Sequence, residues 1–272
     1  MNAHAQQVQH RFGAEAQNWS GLYGQRASRS IYVHNLQQRR QHALQLLETA
    51  EGRIFEIGCG AGNVILSIPH ENGLKLFGTD FSPEMLRQTR QNANGQKKEI
   101  SLLAADALSL PFQNASFNAV LCLGLLEYVL DYEKVLSECH RILKSGGKLI
   151  VSVPNMISPF VRIDDFGFGL KNRVTQSLPV GIRRWIKTQV FGRKDRPYFN
   201  HRRLRFNPSC FTKLLESIGF LVKETTYHTF GFGLLNGLKL NVDLSTYLEA
   251  RVKHRKKLEK FGWTCILKAI KS

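Results

Sequence analysis

No two of the five cysteines (Cys59, Cys122, Cys139, Cys210, Cys265) form a C-x-x-C pair, and all lie far apart. That spacing argues against a disulfide framework and suits reduced, buried thiols in a cytosolic protein. The nine histidines are equally scattered, and no His/Cys/Asp/Glu cluster has ligand spacing, so no metal site is expected. No apolar run approaches the roughly 20 residues that cross a bilayer. The opening stretch MNAHAQQVQHRFG is too polar for a secretory signal. A soluble, cytoplasmic chain is expected, one that at most lies on a membrane surface. Internal repeats and low-complexity tracts are also missing.

Acidic residues are scarce in one half only. Residues 1–155 hold 15 Lys+Arg against 13 Asp+Glu, whereas residues 156–272 hold 23 against 8, so a balance of +2 is followed by one of +15. A near-neutral front half and a basic back half suggest two tasks: a generic binding fold, then a surface for an anionic partner or substrate. The chain has 272 residues and is 43% hydrophobic, enough for a substantial core in one large α/β domain or two small ones.

Residues 1–29 carry spaced aromatics (Phe12, Trp19, Tyr23) among Gly and Ser and read as an irregular arm. A helix is expected over 30–49, with Leu36, Ala43, Leu46 and Leu47 on one face and Gly52 as its stop. Strands follow at Arg53–Gly58, Leu74–Thr79, Ile100–Ala105, Phe117–Leu123 and Lys148–Val153. Between them a short helix is expected at Asn63–Ile68, ended by Pro69, and another opens at Ser82-Pro83-Glu84, an N-cap, an N1 proline and a first-turn acid. A third runs from about Asp131 to Leu143 and stops at Lys144-Ser145-Gly146-Gly147. Such alternation means βαβ units and a doubly wound, mostly parallel, Rossmann-like sheet with both faces covered. Asn207-Pro208 opens a last helix through Ile218 with Gly219 as its cap, and Phe220–Tyr227 and Gly262–Ile270 read as two final strands. Residues 155–206 and 228–261 break the alternation and read as basic, helical insertions.

Glu56-Ile57-Gly58-Cys59-Gly60-Ala61-Gly62-Asn63 falls at a strand-to-helix turn. Glycine is needed there because a Cβ would block both the tight turn and a ligand's approach to backbone N–H groups. A bare turn with no ligand is the alternative. The dinucleotide fingerprint G-x-G-x-x-G fails, because position 63 is Asn. Asp80 ends the second strand, 22 residues after Gly58, where its carboxylate could accept both hydroxyls of a ribose or cap the next helix. Asp106 ends the third strand, and a doubly wound sheet brings it to the same carboxyl-end crevice.

With these features in place, EIGCGAGN, GTDFSPEML, AADALSLPF and LEYVLDYEKVLSECHRILKSGGKLIVSVPN stand in an order and spacing that resembles class I S-adenosylmethionine-dependent methyltransferases. The likeness is to the small-molecule branch that includes the ubiquinone- and menaquinone-biosynthesis enzymes, and it covers about 100 residues. The resemblance implies a seven-stranded sheet with an antiparallel last strand, and S-adenosyl-L-methionine as cofactor. It implies that Gly58, Cys59 and Gly60 form the turn under the methionine moiety, with Glu56 ordering that turn and the amino group. Asp80 would hold the ribose and Phe81 pack on the adenine, Asp106 and Ala107 would read the adenine edge, and Leu123 would lie beside the sulfonium. Relatives often read L-E-H-V where this chain has Leu126-Glu127-Tyr128-Val129, so an imidazole base is replaced by Tyr128. The implied units are an N-terminal arm and helix acting as a cofactor lid (1–52), the cofactor-binding core (53–154), a basic insertion serving as acceptor lid (155–206), and the rest of the sheet (207–272).

Methyl transfer from a sulfonium mainly requires in-line alignment and exclusion of water, so no compact motif marks the acceptor. Tyr128 and Asn155 are the catalytic candidates, Asn155 because it follows the fifth strand; His201 and His228 are weaker ones. Trp19 and Tyr23 could close over the cofactor, and Arg39 and Arg40 could reach its carboxylate, although a solvated helix face suits the arginines better. Residues 156–205 contain 12 Lys+Arg and 3 acids, and Pro179–Phe191 sets Ile182, Trp185, Ile186 and Val190 against Arg183, Arg184 and Lys187. That segment reads as a lid with a solvated basic face, or as a peripheral contact with an anionic membrane. A small-molecule or lipid-like acceptor is therefore favoured. A nucleic-acid methyltransferase would use the basic half, but Cys122-Leu123-Gly124-Leu125 lacks an N-P-P-Y-type motif. A non-catalytic adenosyl-binding module is the third reading, and the intact Gly58, Gly60, Asp80 and Asp106 oppose it.

Overall fold

A computed structural model describes residues 3–22, 29–48, 51–69, 73–167, 204–252 and 255–272. Its centre is a seven-stranded sheet: β1 (Arg53–Ile57), β2 (Lys75–Asp80), β3 (Ser101–Ala104), β4 (Phe117–Leu123), β5 (Leu143–Pro154), β6 (Phe220–His228) and β7 (Thr264–Lys271). The spatial order is β3-β2-β1-β4-β5-β7-β6. Strands β1 to β5 pair in parallel, and β7 enters antiparallel between β5 and β6. This is the Rossmann-like methyltransferase sheet that the resemblance implied.

The helices include α1 (Ala3–Leu22), α2 (Ile31–Leu47), α3 (Pro83–Gly95), α4 (Tyr132–Ile142), α5 (Pro208–Ile218), α6 (Lys239–Val252) and the single turn α7 (Lys256–Glu259), and residues 159–167 are also helical. Their starts follow local chemistry. Ser82, Asp131 and Asn207 each cap a helix by accepting a backbone N–H from Met85, Lys134 and Ser209. Gly219 ends α5 in the left-handed region, where a Cβ is disfavoured. The central strands are apolar on both faces because helices cover both. Phe55, Val120 and Val151 belong to one core cluster, and Ile54, Leu121 and Ile150 to the cluster on the other face. Each such burial stabilises by roughly 1.5–3 kcal/mol before entropy is counted.

Two expectations fail. The N-terminal arm is not irregular: residues 3–22 form helix α1, which packs on α3. Gly13 makes that approach possible, since a Cβ there would sit 2.8 Å from the Glu84 carboxylate. The helix expected at Asn63–Ile68 shrinks to a 3-10 turn, Ile65–Ser67, because Ile65 donates its N–H to the Glu56 carboxylate at 2.9 Å and Pro69 follows at once. Among the described residues no helix is long and apolar enough to cross a membrane.

Candidate functional site

The carboxyl ends of β1, β2 and β4 open onto one cavity. Its floor is the turn after β1. Gly58 and Gly60 adopt φ of 68° and 54°, conformations that side chains with a Cβ resist. Helix α3 grips this turn from behind: the Thr89 hydroxyl donates to the Gly60 carbonyl at 2.6 Å, and the Asn92 amide to the Ala61 carbonyl at 2.8 Å. Asp80 grips it from the front, accepting the Gly60 N–H at 2.8 Å while its other oxygen accepts that of Ser82, also at 2.8 Å.

Two carboxyls on this floor are shifted upward. Burial raises Glu56 to about 8, against the Ile65 N–H and the nearby Arg39 cation, which pull it down. Burial also raises Asp80, opposed by the N–H groups of Ser82 and Gly60. Buried acids facing a cleft are groups waiting for donors or a cation. Arg39, only 7% exposed, lines the same cavity, with its guanidinium packed where a Cβ on Gly124 would be. The roof comes from α1. Val8, Phe12 and Trp19 face inward, and the Gln9 amide ties the helix to the Phe81 carbonyl at 2.9 Å. The Phe12 ring stands edge-on to both Trp19 and Tyr128, at 5.5 and 5.3 Å.

Of the expected cofactor residues, Glu56, Gly58, Cys59, Gly60, Asp80, Phe81, Ala107 and Leu123 all line this cavity, as does Tyr128. Asp106 does not. Its neighbours Ala105 and Ala107 face inward, but β3 is the sheet's edge, and the exposed Asp106 side chain accepts the Leu108 N–H at 3.0 Å. Asn155, the acceptor-side candidate, does not line this cavity either. It is fully buried, its amide donates to the carbonyls of Lys260 and Gly262, and its oxygen accepts from Ile157, so it fastens the end of β5 to the entry of β7. His228 is likewise buried, stacked on His42 and held far below its usual pKa by desolvation, which keeps it neutral. His201, Tyr23 and Pro179–Phe191 lie outside the described residues.

Arg39 is not on a solvated face, and the sequence carried the signal. It lies three residues after Leu36 and four before Ala43, on the buried stripe of α2. Arg40 instead borders a separate shallow cleft with Asn63 and Asn92. Phe12, Thr89 and Asn92 were missed, because each acts through a contact distant in sequence.

A methyltransferase domain family matches residues 55–151. The demethylmenaquinone methyltransferase of Thermus thermophilus is 37% identical over 118 residues, 43% of this chain and 54% of that one. Sterol 4-C-methyltransferase strm-1 of Caenorhabditis elegans is 34% identical over 113 residues, 40% of this chain and 34% of its own length. The chain thus spans about half, or less, of the curated relatives it matches. Among solved structures, magnesium protoporphyrin IX methyltransferase from Synechocystis PCC 6803 with bound SAH superposes with a TM-score of 0.64 at 16% identity, covering 97% of this chain and 98% of that one. The [4+2]-cyclase SpnF gives 0.62 at 16% identity, covering 98% and 96%. These two share the fold. Residues 55–151 thus match a methyltransferase domain, in line with the resemblance to the class I S-adenosylmethionine-dependent methyltransferases.

Proposed function

We propose that this chain transfers a methyl group from S-adenosylmethionine to a small-molecule or lipid-like acceptor by in-line displacement. The observation that carries the reading is the single cavity where a positive-φ glycine turn, the buried Glu56, the half-buried Asp80 and the cation Arg39 face one another. These groups fit the cofactor. Gly60 leaves open the space below Trp19, whose Nε1 would lie 3.6 Å from a Cβ there. Glu56, on giving up its proton, and Arg39 are opposite charges suited to the ammonium and carboxylate of an amino acid, and Asp80 is suited to a ribose diol. Phe81 and Ala107 offer apolar surface for the adenine, with Asp106 at its rim, and Leu123 stands nearest the reacting centre.

When bound, the cofactor supplies a methyl carbon already activated by its sulfonium, so the chain has only to position and desolvate the acceptor. The roof of Phe12, Trp19 and Tyr128 excludes water, and the Tyr128 hydroxyl orients the acceptor. Acceptor size is supported by the relatives, whose names specify demethylmenaquinone and a sterol. A lipid-like acceptor would be met at a membrane surface. The test is a labelled-methyl assay against extracted lipids, metabolites and RNA. Label in the lipid or metabolite fraction supports the reading, and label in RNA alone overturns it.

A further inference from the structure

Helix α6 is built inside out. Asn241, Ser245 and Glu249 lie on its inward face, where they satisfy the backbone of the loop after β6. The Asn241 amide oxygen accepts from Phe232 at 2.9 Å, the Ser245 hydroxyl from Phe230 at 2.9 Å, and the Glu249 carboxylate from Thr229 at 2.9 Å and from the His34 ring at 3.0 Å. The outward face carries Leu240, Leu244 and Tyr247, at the i, i+4, i+7 spacing of one helical stripe. Leu240 is 77% exposed and Tyr247 54%. A water-facing helix has the reverse arrangement, so this stripe is shaped for an apolar medium.

Helical backbone over residues 159–167 docks on the loop that leads into α6: Asp164 accepts the N–H groups of Gly233 and Leu234, and Gly167 packs against Leu234. That segment carries a further exposed aromatic, Phe166, 74% exposed. Both segments follow strands at the sheet's carboxyl edge, the edge onto which the cavity opens.

Charge selects the occupant. Residues 239–260 hold 7 Lys+Arg against 3 Asp+Glu, and one of those acids, Glu249, is turned inward. Lys239, Arg251, Arg255 and Lys257 are exposed, and the Arg251 guanidinium lies 5.1 Å over the Tyr247 ring, ending the stripe in a cation. Residues 168–203 of this chain are themselves strongly basic, with 10 Lys+Arg against 1 Asp, and make a poor electrostatic match for such a surface. An apolar stripe with exposed cations at its two ends, Lys239 and Arg251, and one exposed acid, Asp243, on its face carries a net positive charge and matches an anionic bilayer, which offers hydrocarbon beneath negative headgroups. We propose that the Leu240–Leu244–Tyr247 face of α6 docks this protein onto anionic membranes. The inference extends the reading of a lipid-like acceptor, but its test needs neither cofactor nor methyl transfer, so either can fail alone.

The experiment is cosedimentation of the full chain with phosphatidylcholine vesicles, with and without about 30 mol% phosphatidylglycerol, across salt. The wild type binds the anionic vesicles, releases with salt, and ignores the neutral ones. Leu240→Asn/Leu244→Asn weakens binding by roughly tenfold or more, with an unchanged thermal midpoint as the check on folding. Equal binding by the variant, or none by the wild type, overturns the proposal. So does a dimer without vesicles that the double substitution dissolves, which assigns the face to a second copy. In a Cys210→Ser background, Leu244→Cys should react rapidly with maleimide in vesicle-free buffer. Slow reaction means that the chain itself covers the stripe, and also overturns the proposal.

Discussion

The Gly60 N–H donates to the Asp80 carboxylate at 2.8 Å, so the tip of β2 clasps the glycine turn after β1 across 20 residues of sequence. The same carboxylate is the group suited to a ribose diol, so one side chain shapes the turn and faces the ligand.

Asp80→Asn should keep the fold and lose at least about tenfold in affinity for S-adenosylhomocysteine, the size of one charge-assisted hydrogen bond. The amide can still accept from Ser82 but turns an N–H toward a donor. Titration calorimetry of the variant checks the affinity, and its thermal midpoint checks the fold.

Gly62 and Gly146 separate strain from crowding. Both have positive φ, 77° and 72°. A Cβ on Gly62 would lie 2.7 Å from Thr89 Cγ2 and 2.9 Å from Leu66 Cδ1, whereas one on Gly146 meets open space. Gly146→Ala should cost about 1 kcal/mol, the lower end of backbone strain. Gly62→Ala should cost about 3 kcal/mol or more, as strain and overpacking add. Denaturant midpoints of the two variants give the comparison.

Glu56 makes stability depend on pH in a stated direction. Its folded pKa is raised from 4.5 to about 8. Between those values the unfolded chain has released the proton and the folded chain still holds it, so stability falls as pH rises from 4.5 toward 8 and levels off above. Glu56→Gln should flatten that part of the slope relative to wild type in thermal melts. If an ammonium binds beside Glu56, ligand binding at pH 7 should also release a proton, read as a dependence of binding enthalpy on the buffer's ionisation heat.

Arg39→Gln should weaken S-adenosylhomocysteine by about tenfold, the order of a hydrogen-bonded charge pair, while leaving 5′-methylthioadenosine unchanged. The second ligand lacks the amino acid moiety, so equal losses for both would show that Arg39 acts on the fold and not on the carboxylate.

The sheet was legible because its strands are short, apolar and punctuated. Phe117–Leu123 forms β4 with the bounds its sequence suggests, and Ser82 and Asn207 open their helices by capping chemistry that is entirely local. The glycine turn and Asp80 were legible for the same reason. Helix α1 was not, since its sequence is polar, glycine-containing and only weakly amphipathic, and what holds it is contact with α3 and the cavity. The side-chain direction of Asp106 was not legible, because strand position alone does not give it at an edge, where the nearest backbone donor competes. The partners of Asn155 were not legible from its place after the fifth strand, since they lie near β7 and in its own turn.

Titration of the wild-type chain with S-adenosylhomocysteine, beside Asp80→Asn under the same conditions, goes to the centre of the account. One site per chain with micromolar or better affinity, weakened in the variant, is the result predicted for an adenosyl cavity at the tips of β1, β2 and β4. No heat at high micromolar ligand, or equal binding by both proteins, would contradict it.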